Sequence, residues 1–251
     1  MDIYTTVLVA AAVLPAAFLL RVVYRNDRLE KESPGMLISL IILGVISTLP
    51  AVILERVGDY VISGMYFTGT RYQIVDNFIV IGLSEEFCKY FFLRLRTWRS
   101  REFNCQYDGV VFAVFVSLGF AICENILYVF SYGFANAVVR AFTAIPGHAS
   151  FGVLMGIFYG VAKRYDYYGN HNASIIARIM AVLVPAFVHG AYDFTASMET
   201  SAHAVGFLVL IVVLFAVCFI LVKKVSQYDQ YIAPDAGYDD GYGDGGQGYG
   251  Y

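Results

Sequence analysis

Charge is what this chain has least of: 15% of its 251 residues are charged and 59% are hydrophobic, whereas soluble domains carry about 25% charged residues. A mean hydropathy of +0.63 agrees, and together these values exclude a soluble enzyme and point to an integral membrane protein. No basic block is present, which argues against a nucleic-acid partner. The net charge of −3 reflects acids in the C-terminal tail, among them Asp235, Asp239, Asp240 and Asp244. Cysteine is scarce and scattered: Cys88, Cys105, Cys123 and Cys218 stand singly without C-x-x-C spacing. They read as reduced, buried small hydrophobes rather than a disulfide framework. The start of the chain lacks the basic region and small-residue cleavage site of a signal peptide, so the first apolar segment is expected to persist as a helix. No internal repeat is visible, which removes the usual signature of inverted-repeat transporters.

What is there is a series of apolar runs. A span needs about 20 mostly apolar residues, and seven segments qualify: roughly 4–24, 35–55, 73–94, 108–131, 138–162, 174–195 and 204–222. Positive charge alternates between the connections. Arg21, Arg25, Arg28 and Lys31 follow the first span, Arg94, Arg96, Arg99 and Arg101 the third, Lys163 and Arg164 the fifth, Lys223 and Lys224 the seventh. The other connections hold Arg56, Arg71 and Arg140. The positive-inside rule then places the N-terminus outside and the C-terminus in the cytoplasm. The expected fold is an all-α, polytopic transmembrane helix bundle over residues 1–226, in the cell membrane. Residues 227–251, rich in Gly, Tyr and Asp, are expected to form a disordered cytoplasmic tail.

Several ionisable groups break these apolar runs. Glu85-Glu86-Phe87-Cys88-Lys89 lies in the third segment, Glu124-Asn125 in the fourth, His148 in the fifth, and His189 with Asp193 in the sixth. Each charge at a helix centre costs roughly 2.5–3.5 kcal/mol of insertion free energy, and intramembrane charge marks a functional site by default. Helical spacing pairs Glu85 or Glu86 with Lys89, and lets Asp193 orient the His189 imidazole one turn away. Neighbouring residues sit about 100° apart around a helix, so one glutamate is expected to pair with Lys89 while the other faces a cavity. Taken singly, His148 reads equally as a satisfied core histidine, and Glu124 has a less favoured reading as a structural carboxyl bonded to a neighbouring helix. Taken together, acids and histidines on four helices are poorly explained by packing.

Such a set can activate water in two ways. A glutamate at 85 or 86 can act as general base, with Glu124, Asn125 and His189 positioning the water and stabilising the oxyanion. Alternatively His148, His189 and Glu124 ligate Zn²⁺, with the glutamate as base. No H-E-x-x-H or G-x-S-x-G motif is present and no G-x-G-D lies in an apolar span, so zincin geometry and a nucleophile-elbow serine are excluded.

The order E-E-x-x-K (Glu85 to Lys89), F-x-x-x-E-N (Phe120 to Asn125), His148 and His189 resembles the PrsW family of intramembrane peptidases, within the wider group of CAAX- and bacteriocin-processing-like membrane proteases. The resemblance implies a peptidase whose catalytic set is Glu85, Glu86, Glu124 and His189, supported by Lys89, Asn125, His148 and Asp193. It also implies a membrane-anchored protein substrate, by family analogy an anti-sigma factor cut at its first site. The family has been read both as metallopeptidase and as glutamate peptidase. A proton- or ion-coupled transporter would use the same residue types as a relay, and a scaffold would use them to lock helices.

Overall fold

Backbone inside a bilayer must satisfy its own hydrogen bonds, and this chain does so with helices. The computed structural model describes residues 3–65, 67–197 and 201–233. Its helices are α1 (Ile3–Asn26), α2 (Pro34–Ser63), α3 (Thr70–Val75), α4 (Ser84–Thr97), α5 (Asp108–Phe142), α6 (Ala144–Tyr167), α7 (His171–Ser197) and α8 (Ser201–Gln227), with a π-helical stretch, Asp76–Leu83, joining α3 to α4. Ser33 caps α2 by accepting from the Met36 amide, and Pro34 occupies the first turn, where its missing N–H costs nothing.

Five stretches are long and apolar enough to cross a membrane: 5–26, 34–63, 108–167, 171–197 and 201–227. The difference from the seven expected segments has a physical origin. Segments 108–131 and 138–162 run together into one helical stretch, and segment 73–94 is diluted by Glu85, Glu86, Lys89 and Arg94. Within 108–167 the chain nevertheless doubles back. Gly133 leaves the helical conformation at φ 79°, a region that favours glycine, and Thr143 separates α5 from α6. Gly109 then faces Gly156 and Gly160, Ser117 faces Gly152, and Glu124 reaches His148, so α5 and α6 run antiparallel.

Helix α5 is the centre of the bundle, buried continuously from Asp108 to Ala121. It packs on α6, α2 and α1. Against α2 it runs parallel, with Gly119 opposite Ile41, Gly44 opposite Val116 and Thr48 opposite Cys123. The outer faces of α1, α2 and α8 expose large apolar side chains such as Phe18, Ile53 and Leu208, as lipid-facing helices do.

At the end of the bundle where α1 meets α2, the chain after α8 folds back onto the segment before α5. The Gln106 amide donates to Gln230 O (3.1 Å), the Ile232 amide to Asn104 O (2.6 Å), and the Tyr107 amide to Asp229 Oδ1 (2.8 Å). Of the tail expected to be disordered from 227, this first part is docked; residues 234–251 lie outside the described residues.

The same end holds a buried carboxyl. Glu32 is 3% exposed, and burial, together with neighbouring Asp108, Glu102 and Asp27, pushes its pKa from 4.5 up to about 10. The folded state therefore holds this proton more tightly than the unfolded chain, and stability falls as pH rises from about 4.5 towards 10. Glu32→Gln removes that dependence. It is expected to raise the thermal midpoint by about 2–4 °C in alkaline buffer, the shift that roughly 1 kcal/mol produces at this size, with little change in acid. Thermal melts across the pH range check it.

Candidate active site

A lysine with no exposed surface inside a membrane bundle must spend all its donors on protein. Lys89 Nζ does so, donating to Glu86 Oε1 at 2.7 Å, Glu85 Oε2 at 3.0 Å and His148 Nδ1 at 3.1 Å. It also lies 4.1 Å from the centre of the Phe120 ring. The i,i+3 and i,i+4 spacings bring both glutamates to one ammonium, so the expected division between a paired and a cavity-facing glutamate is replaced by a shared partner. Their surroundings still differ. Glu86 is fully enclosed, with Oε2 lacking a partner, whereas Glu85 lines a cavity.

Because an ammonium only donates, the Nδ1 of His148 accepts, and its proton sits on Nε2, which donates to Glu124 Oε2 at 2.8 Å. That oxygen is also 3.1 Å from an Arg140 terminal nitrogen. Arg140 Nε donates to Asn125 Oδ1 at 2.6 Å, and its guanidinium lies 3.9 Å from the Tyr128 ring centre. On α7, His189 places Nδ1 3.0 Å from Glu86 Oε1, and Nε2 3.2 Å from Asp193 Oδ2 and 3.9 Å from Glu85 Oε2. Phe151 stacks on the His189 ring, with centres 4.5 Å apart, and fixes its plane.

The structure therefore brings every site residue read from the sequence into one connected network on α4, α5, α6 and α7. The π-helical stretch contributes by re-phasing the helix just before Glu85, a local geometry often found at functional sites. Gly82 lets this stretch touch α7: a Cβ there would lie 2.8 Å from Ala186 O. The network opens into a cavity of about 440 Å³ lined by Glu55, Asn77, Glu85, Glu124, Arg140 and His189. Glu55 is invisible to sequence reasoning, because beside Arg56 at the end of an apolar run it reads as a loop charge. Arg140 likewise reads as a loop cation until the turn at Gly133 returns it to Glu124.

Glu85, His148 and His189 offer ligand atoms that lie within 4.8 Å of one another. Two histidines and one carboxylate match the donor set of catalytic zinc, and the unpartnered Glu86 Oε2 beside them adds negative potential. The residues thus fit a divalent metal in type and number. Glu85 is the carboxylate that groups with the two histidines, while Glu124, named from the sequence, has its Oε2 held by both His148 and Arg140. Lys89 touches the same Glu85 and His148 atoms, so a metal must displace it from them.

Comparison with known proteins gives a consistent picture. The family model described as PrsW family intramembrane metalloprotease matches residues 32–222. Protease PrsW of Oceanobacillus iheyensis is 34% identical over 187 residues, 74% of this chain and 81% of that protein. Protease PrsW of Bacillus subtilis is 32% identical with the same coverage, and that of Geobacillus kaustophilus 30% identical over 91% of this chain and 95% of its own. No solved structure matches. On the strength of that coverage, the chain belongs to the PrsW family of intramembrane proteases.

Proposed function

We propose that the chain is an endopeptidase of the cell membrane that hydrolyses a membrane-anchored protein within the bilayer, using the network around Lys89 to activate water. The observation that carries this reading is the convergence of Glu85, Glu86, His148 and His189 in one buried network around Lys89, beside a cavity that Glu85, His148 and His189 line. In this reading Glu85, the glutamate that faces the cavity, takes a proton from a water, and the resulting hydroxide attacks the scissile carbonyl carbon. Glu86 holds Lys89 and the Nδ1 side of His189, so that the His189 Nε2 edge stays turned to the cavity. Arg140, set by Asn125 and Glu124, supplies a positive donor where oxyanion charge develops. The proton taken by Glu85 returns to the leaving amine. A divalent metal held by Glu85, His148 and His189 would add Lewis-acid polarisation and lower the pKa of a bound water, and the base role would then pass from Glu85 to Glu86.

The bundle is proposed to place seven segments across the membrane, the Glu-rich α4 segment among them, with the N-terminus outside. The cavity then lies towards the outer half, which suits cleavage on the extracytoplasmic side. By family analogy the substrate is an anti-sigma factor.

Purified protein in detergent with a single-span test substrate gives the direct test. Cleavage is expected to stop with a strong chelator and return with Zn²⁺. Cleavage that persists under chelation assigns water activation to the carboxylates without a metal. Absence of cleavage of any membrane-anchored substrate, with the protein folded, removes the peptidase reading.

A further inference from the structure

Away from the catalytic network, towards the arginine-rich end of the bundle, a cleft runs along α4 and is bounded on one side by α7. Two adjoining cavities, of about 380 and 640 Å³, share Phe87, Tyr90 and Arg94. Arg94 and Arg99 stand on the α4 side and Arg178 on the α7 side, with Trp98 between, its ring centre 5.7 Å from Arg94 and 5.2 Å from Arg178. Among the described residues no carboxylate forms an ion pair with any of these three arginines. Tyr90 is 9% exposed, lines both cavities, and its hydroxyl has no hydrogen-bond partner. A buried phenol without a partner is a donor lacking an acceptor, and this one belongs to a residue that lines the cleft. Below the arginines the walls turn apolar, with Phe91, Leu95, Ile179 and Leu183 exposed.

We propose that this cleft binds an anionic glycerophospholipid, with its phosphate between Arg94 and Arg178. The chemistry is matched end to end. Guanidinium groups bind phosphate oxygens in paired geometry, the Tyr90 hydroxyl donates to a headgroup oxygen, and the apolar walls receive the acyl chains. The arginine-rich segment lies on the side that charge asymmetry assigns to the cytoplasm, where basic pockets between helices meet anionic headgroups. A free phosphate would leave the apolar walls unmatched, and an apolar substrate helix would leave the arginines and Tyr90 unmatched. The bound lipid bridges α4, which carries Glu85, Glu86 and Lys89, to α7, which carries His189, and so ties the two elements that must stay in register. This inference rests on membrane embedding and not on the catalytic assignment.

The test uses the full chain in neutral detergent, titrated with phosphatidylglycerol, phosphatidylcholine or inorganic phosphate. Thermal midpoint and lipid retained by native mass spectrometry are the readouts. Phosphatidylglycerol is expected to raise the midpoint and remain bound, and R94Q/R178Q to weaken it by about tenfold or more, as loss of charged hydrogen bonds would. Y90F keeps the ring and is expected to weaken binding by a smaller factor, which maintains the test if the double variant fails to fold. Equal effects of phosphatidylcholine, the same shift from inorganic phosphate alone, or unaltered phosphatidylglycerol binding by folded R94Q/R178Q or Y90F would each overturn the proposal. So would displacement of lipid by a neutral apolar helix that binds more tightly.

Discussion

Glu85→Gln is expected to lower the cleavage rate by about 10²–10⁴-fold, the usual contribution of a positioned general base, while the protein remains folded. Glu85 faces the cavity, and an amide keeps its size and can still accept a hydrogen bond from Lys89. Glu86→Gln is expected to behave differently, losing activity and stability together. Glu86 is fully buried and its Oε1 meets both Lys89 at 2.7 Å and His189 at 3.0 Å. Removing one partner of a buried ion pair costs about 3–5 kcal/mol, because the remaining charge is left uncompensated. Rates and thermal midpoints measured side by side separate the two. A folded, active Glu85→Gln protein would move the base to Glu86, and full activity in both variants would remove the pair from the chemistry.

Gly119→Val is expected to cost about 3 kcal/mol or more, at the upper end of overpacking effects, without touching a single polar group. A Cβ at Gly119 would lie 2.3 Å from Ile41 O and 2.9 Å from Ile41 Cα, and one at Gly44 would lie 2.1 Å from Val116 O. These are backbone atoms of packed helices, so the α2–α5 crossing must open. Phe120, next to Gly119, covers Lys89, so opening the crossing also disturbs the site. Thermal melts and recovery of folded protein read the loss, with Gly35→Ala as the control, since nothing lies within 4 Å of a Cβ there. A melt indistinguishable from wild type would mean that the crossing is not tight in the membrane.

Much of the site was legible because helical geometry is local. Four-residue spacing places Glu85 beside Lys89 and His189 beside Asp193 whatever the tertiary fold, and both contacts are present, at 3.0 and 3.2 Å. The link from Lys89 to His148 was not legible, because it joins residues 59 positions apart. Nor was the role of Glu55 or Arg140. Each sits at the edge of an apolar run, where sequence cannot distinguish a charge turned to water from one turned into a cavity. That Glu85 offers a ligand atom within 4.8 Å of those of His148 and His189 was equally hidden, because the three residues stand on different helices.

Composition and periodicity alone determined that this chain is helical and membrane-embedded, since apolar backbone in lipid has few alternatives to helix. They also determined that acids and histidines interrupt those helices, because insertion cost makes such residues conspicuous. Only the tertiary structure decided which of them meet. The turn at Gly133, the close crossing at Gly44 and Gly119, and the π-helical re-phasing before Glu85 set the angles and registers of α2, α4, α5, α6 and α7. Those angles are the outcome of backbone-to-backbone packing between distant segments, and no spacing along the chain encodes them.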